Sequence, residues 1–508
     1  MMRTSANRLT VSAKFFALLA LLILCLSLSA CGGGGGGGGG GGISPATVTV
    51  ATGASFPFTV GANQEIVWKV NGVTGGSAAD GTIDATGVYT APSAPAVVTV
   101  TAVSKASQGV LGSATATVIQ FGGYTVGFQN ISSMKNARSN HTATLLPTTV
   151  SLAVPTGYSL VAGGIGSGGT AIDKAELFNP AARAFGHFTS VGSMTKPRAY
   201  QAATRLYNGQ VLITGGIDNN NIPLASAEIY DPASRTFFAT GSMTTGRWMH
   251  TATLLASGKV LIAGGNGDPG PGIEGGAALG SCELYDPATG TFTPLVPSMI
   301  NPRYYHTATL LRNGKVLLAG GQGTGGQILT EAELYDPVAT SFTNSFAATG
   351  SMMVNLAVDT GRWQHTATIL NDANGSVIMI GGNAGTEAGP GASHLFNAQS
   401  YDPLPGTFTS SLSSPLMTNS RSHHGAAMLA TGNILLTGGI GGTSSSLSDF
   451  LLSAELYNPA GAGSFAVSAT PMHFARANHT ATALPNGKVF VAGGNQGGVF
   501  LKSAEIYQ

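Results

Sequence analysis

Charge is scarce in this 508-residue chain: only 9% of residues are Asp, Glu, Lys or Arg. Three of the 23 basic residues, Arg3, Arg8 and Lys14, lie ahead of an apolar run at the N-terminus. Without that leader, 20 basic residues face 22 acidic ones. No basic stripe remains to neutralise phosphates, so nucleic-acid partners are excluded. Cysteine is equally rare. Cys25 and Cys31 belong to the leader, and Cys282 stands alone in the body, which excludes an internal disulfide there. No phosphate loop, zinc-type spacing or Ser-His-Asp order stands out. What the chain has instead is glycine, 74 residues of it, with Ser, Thr and Asn carrying the polarity. That composition suits short β-strands between tight turns.

The first 30 residues run from basic to apolar to small, the order of a secretory signal. Leu28-Ser29-Ala30-Cys31 resembles the lipobox of bacterial lipoproteins. The resemblance implies cleavage before Cys31, lipid on its sulfur and acylation of the new N-terminus, which together anchor a chain stably to a membrane. Gly32 after the cysteine points to the outer membrane or cell surface. Residues 31–42 then form a lipidated cysteine with a glycine tether, whose flexible-coil reach is roughly 18 Å.

Residues 43–120 contain short alternating segments such as Glu65–Val70 and Ala96–Val103, separated by turns. Such spacing predicts a β-sandwich with Trp68 in its core. The run V-W-K-V-N-G followed by G-T-I-D-A-T-G-V-Y-T-A-P resembles bacterial Ig-like surface domains.

From residue 133 one pattern recurs: S-M, then R-x-x-H-T-A-T, an N-G-K turn, V-L-I-A-G-G, a loop, and A-E-L-Y-D-P. The double glycines begin at Gly163, Gly215, Gly264, Gly320, Gly381, Gly438 and Gly493, a period near 50. Four strand-like segments per period indicate propeller blades. The glycine pair and the A-E-L-Y-D-P segment resemble the kelch and galactose-oxidase propellers over residues 124–508. The fold expected is all-β: a seven-bladed kelch-type propeller behind a small Ig-like sandwich. The chain's final strand, Ser503–Gln508, is the third of its blade. The segment 124–134 (Y-T-V-G-F-Q-N-I-S-S-M) has the pattern of the missing fourth and is expected to close the ring.

Repetition also assigns roles. Arg138, Arg198, Arg247, Arg303, Arg362, Arg421 and Arg476 occur once per repeat. Glu176, Glu228, Glu283, Glu333, Glu455 and Glu505 occur in six repeats, with Gln399 in the fifth. A charge in every repeat is architectural, so pairs such as Arg247 with Glu283 and Arg303 with Glu333 are expected. The recurring His141, His250, His306, His365, His424 and His479 are expected to hydrogen-bond within their own blades rather than to hold metal. The seven methionines of the S-M step are expected to fill the gaps between blades.

The two middle positions of R-x-x-H vary. Aromatics gather there in repeats two to five: Tyr200, Trp248, Tyr304, Tyr305 and Trp363. The longest insertions, 266–280, 352–361, 383–397 and 440–450, belong to loops on that same face of a four-stranded meander. Variable loops on a rigid scaffold commonly carry binding. The five aromatics are therefore expected to line a pocket mouth for a carbohydrate or protein ligand, on a monomeric, non-enzymatic scaffold needing no cofactor. The galactose-oxidase resemblance implies one enzymatic alternative, a copper carbohydrate oxidase. Arg198-Ala199-Tyr200-Gln201 and Arg303-Tyr304-Tyr305-His306 resemble its two tyrosine segments. The cysteine partner is missing from every R-x-x-H segment, and no C-terminal domain follows the last repeat.

Overall fold

The computed structural model describes residues 43–508 apart from 45, 52–54, 61–64, 93, 95, 120–126, 148–156, 183–185, 269–276, 340–344, 353–360, 386–393, 410–415, 442–449 and 462. Cys31, the glycine tether and the first three residues of 124–134 lie outside these. The chain is all-β, and among the described residues its one helical element is a 3-10 turn at Thr324–Gly326.

The N-terminal part forms two larger sheets beside a two-stranded pair, Ile43–Ser44 with Thr59–Val60. One has five strands, in the order Thr47–Ala51, Val110–Ile119, Ala96–Ser104, Ile66–Val70 and Val73–Thr74. The other pairs Ser55–Pro57, Val88–Thr90, Gly81–Ile83 and Gly76–Ser77. Side chains alternate in strand Ala96–Ser104: Val98, Val100 and Ala102 are buried while Val97 and Thr99 face water, as the two-residue strand period requires. The inward set packs with Trp68, Ile83 and Tyr89 of both sheets in one core.

The rest of the described chain builds seven four-stranded antiparallel sheets, each numbered in chain order, with strands a to d from inside outwards. Sheet 3 runs Thr251–Leu254, Val260–Ala263, Cys282–Asp286 and Thr291–Pro294. Sheets 1, 2, 4, 5 and 6 follow the same order, and their innermost strands are Thr142–Leu145, Ala202–Arg205, Thr307–Leu310, Thr366–Ile369 and Gly425–Met428. Strand b is buried at every position in all seven sheets, and mostly apolar, because both its faces are covered. Val260 and Ile262 pack on sheet 2, whereas Leu261 and Ala263 pack on sheet 4. Burying side chains of this size stabilises by about 1.5–3 kcal/mol each.

Each innermost strand neighbours the next, and that of sheet 7, Thr480–Ala483, neighbours that of sheet 1, so the array closes on itself. Sheet 7 is completed from the other end of the chain. Phe128–Asn130 pairs antiparallel with Ala504–Tyr507, in the register Phe128 with Tyr507. Gly127 and Gln508 exchange backbone hydrogen bonds of 3.0 and 3.2 Å. Phe178 of sheet 1 stacks on Phe490 of sheet 7 at 4.2 Å, which reinforces the joint where the ring closes.

Candidate functional site

The glycine pairs show why the repeat reads as it does. A Cβ on Gly264 would stand 2.4 Å from the carbonyl oxygen of Arg303, in the next sheet. A Cβ on Gly265, at φ +104°, would stand 2.9 Å from the Cβ of His250. One glycine therefore admits the neighbour's R-x-x-H turn and the other admits its own. Gly265 N–H donates to the Arg303 carbonyl at 2.9 Å, and the Gly264 carbonyl accepts from Arg247 at 2.7 Å.

Every arginine of the repeat is fully buried. Arg247 Nη2 lies 3.1 Å from Glu283 Oε1, and Arg303 Nη2 lies 2.7 Å from Glu333 Oε1. The same carboxylates accept backbone N–H groups from the chain entering the sheet. Thr244 N reaches Glu283 at 3.0 Å, and Ile300 N reaches Glu333 at 2.7 Å. Each glutamate thus ties one sheet to the arriving linker. In sheet 5, Gln399 accepts from Arg362 and donates to the Met352 carbonyl at 2.7 Å. An amide serves there because the group opposite is an acceptor rather than a donor.

The histidines correct the expectation of bonds within a blade. Each reaches back to the preceding sheet: His306 Nε2 to Thr251 at 3.0 Å, His365 to Thr307 at 3.0 Å, and His141 to Thr480 at 3.2 Å. In sheets 2 and 6 the usual threonine of strand a is Ala202 or Gly425. Its hydroxyl reappears on the cross-strand partner, Thr214 or Thr437, and meets His250 or His479 at 2.8 Å. Burial, followed by the charge of adjacent arginines, pushes His250 and His365 down to about 3. The imidazoles are neutral parts of the joints between sheets. In sheet 2 the place is taken by Gln201, which donates to the Ala162 carbonyl at 2.8 Å.

At the inner end of the sheets, the second variable residue of each R-x-x-H stands in the left-handed region. These residues are Asn140, Tyr200, Met249, Tyr305, Gln364, His423 and Asn478, with φ between 51° and 57°. Their backbones form a closed circle of hydrogen bonds. Tyr200 N donates to Asn140 O, Met249 N to Tyr200 O, and so on until Asn140 N reaches Asn478 O at 3.0 Å. Beside this circle lies a cavity of about 290 Å³, lined by Asn140, Tyr200, Met249, Tyr305, Gln364, Gln201 and the histidines of sheets 1, 3, 4 and 5. None of the lining residues is Asp, Glu, Lys or Arg.

The five expected aromatics divide. Tyr200 and Tyr305 line the cavity. Trp248, Tyr304 and Trp363 are buried, with 3%, 3% and 1% of their surface exposed, and so do not face a ligand as expected. The tryptophans hold loops. The Trp248 indole N–H donates to Asp268 O at 3.1 Å and that of Trp363 to Gly385 O at 3.0 Å, at the starts of insertions 266–280 and 383–397. Asn266 and Asn383, both 1% exposed, cap the same stems through their side-chain oxygens. Sequence inspection missed these asparagines. Their signal was present: asparagine follows the double glycine in the two repeats that carry tryptophan, and in sheet 7.

The residues present do not fit copper. Cys282 lies in strand c among Leu255, Leu261, Ala263 and Met299, and burial pushes its thiol up to about 12. His306, the histidine after Tyr305, is buried and bonded to Thr251. No group of three or more His, Cys, Asp or Glu side chains converges among the described residues.

Residues 198–244 match the Kelch motif family model. Kelch-like protein 7 from Rattus norvegicus and from Mus musculus is each 48% identical over 62 residues, covering 12% of this chain and 10% of the relative. The match thus spans about a tenth of the length of those curated relatives. Among solved structures, a novel fungal alcohol oxidase of the AA5 family, in complex with copper, aligns over 76% of each chain at 18% identity, with a TM-score of 0.58. That likeness concerns the fold. The chain thus carries a Kelch motif, and its body is similar in fold to a propeller-like protein.

Proposed function

We propose that the chain is a non-enzymatic binding protein: a seven-bladed kelch propeller, residues 124–508, carried behind an Ig-like domain, residues 43–120, and a lipid-anchored tether. The observation that carries this reading is convergence at one end of the ring. The neutral cavity, the two tyrosines and the tryptophan-held stems at Asp268 and Gly385 gather there. Loops fixed to a rigid scaffold around a concavity are a common form of binding site. The cavity's uncharged lining favours a neutral carbohydrate over an ionic ligand, with a protein loop as the other candidate. The recurring Arg and Glu residues are joints of the ring and take no part in chemistry.

The closing strand begins beside Tyr507, at the short-turn end; in this proposal that end faces the membrane and the mouth faces outward. The molecule works as a monomer at the outer membrane or cell surface, without a cofactor. Binding of the full chain to glycan and peptide arrays tests the reading. Tyr200→Ala together with Tyr305→Ala should remove the signal, and retention of every bound ligand by that variant would overturn the mouth as the site. Copper loading discriminates the oxidase alternative, which requires stoichiometric uptake and a radical absorbance band.

A further inference from the structure

Two of the seven sectors around the mouth are built to one plan. In the first, Tyr200 of sheet 2 meets Trp248 of sheet 3 edge to face at 5.3 Å. Trp248 pairs through its backbone with Asn266, and its indole fixes the start of insertion 266–280. In the second, Tyr305 of sheet 4 meets Trp363 of sheet 5 at 5.4 Å. Trp363 pairs with Asn383, and its indole fixes the start of insertion 383–397. Both insertions are fifteen residues long. The capping bonds match as well: Asp268 N to Asn266 Oδ1 and Gly385 N to Asn383 Oδ1 are both 2.8 Å. No other sheet combines a tryptophan, an asparagine after the double glycine and a tyrosine on the preceding ring position.

We infer that the mouth holds two equivalent subsites, one at Tyr200 and one at Tyr305, and that the ligand is a neutral oligosaccharide that presents the same unit to both. This deepens, and rests on, the binding reading above. The two tyrosines lie two steps apart on the hydrogen-bonded circle, with Met249 between them. Both line the same cavity, so one chain molecule can engage both. Each ring brings an aromatic surface to the cavity, and Asn140, Gln201 and Gln364 line it with uncharged polar side chains. The buried, neutral histidines add no charge. Engaging the second subsite from the same molecule is an intramolecular step, so affinity should rise with chain length once both are spanned.

The test uses the full chain and neutral glucose- and galactose-based saccharides of one to six units, followed by calorimetry and tryptophan fluorescence. The wild type should take up two monosaccharides. Tyr200→Ala and Tyr305→Ala should each leave one, and the double variant none. A saccharide long enough to span both subsites should bind one per chain, at least about tenfold more tightly than the single unit, and either substitution should abolish that gain. Tyr→Phe replacements carry the same comparison if alanine costs the fold. One monosaccharide per chain, lost with either tyrosine, would overturn the two-subsite inference and leave the binding reading standing. Absence of any saccharide binding, or binding of peptides alone, would overturn the carbohydrate class itself.

Discussion

Acid should loosen the ring, and by an amount the histidines set. His250 and His365 are neutral and buried, and each holds about 3 against an ordinary value of 6.5. A group depressed in the fold binds its proton more readily when unfolded. Its contribution is therefore present above the unfolded value and is lost as pH falls through the window from about 6.5 to about 3. At pH 5 an unfolded imidazole is almost fully charged while the folded one is still neutral. With 1.36 kcal/mol per pH unit, each of the two costs the fold about 2 kcal/mol between pH 7 and pH 5, or about 4 kcal/mol together. The protein supplies its own control. Gln201 fills the corresponding place in sheet 2 and bonds across to Ala162. His250→Gln with His365→Gln should therefore keep the joints and drop the proton. Urea unfolding at pH 7 and pH 5, followed by tryptophan fluorescence, measures both chains. The double variant should lose about 4 kcal/mol less than the wild type on acidification. Equal losses would refute the assignment of these imidazoles as buried neutral joints.

The remaining predictions concern the same joints and the ring closure. Thr214→Ala should cost about 1–3 kcal/mol by stranding His250 Nε2, and adding Ala202→Thr should restore most of it, since Thr251, Thr307 and Thr366 serve from that position; urea melts of the single and double variants check this. Glu333→Ala should cost about 3–5 kcal/mol because it leaves the Arg303 guanidinium buried without its carboxylate, while Gln399→Ala should cost only about 1–2 kcal/mol in the same assay. Phe128→Ala empties the contact with Tyr507 at the ring's closing strand and should cost about 3 kcal/mol; thermal unfolding reads it. Trp363→Phe keeps an aromatic ring but removes the pyrrole half of the indole with its N–H, so hydrogen exchange at Gly385 and His394 should rise, and melting should cost about 1–3 kcal/mol.

How far such joints were legible depended on whether repetition exposed them. The glycine pairs, the arginines and the glutamates recur at fixed steps, so internal comparison separates architecture from variation without any contact being known. The same comparison misdirects at the ring positions. Trp248 and Trp363 break the repeat, and a large aromatic among small residues suggests a ligand. Which way a side chain faces is set by backbone conformation: the first variable residue turns into the sheet while the second, at positive φ, turns to the axis. Spacing alone cannot express that, since both positions lie side by side in sequence. Nor does position mark the histidine's partner. The hydroxyl that meets His250 comes from strand b and the one that meets His306 from strand a, twelve positions apart in the repeat yet adjacent across the ladder. What is preserved between sheets is an oxygen at a place in space. A chain can move it to the opposite strand without altering the joint, and the repeat then looks degenerate where the structure is intact.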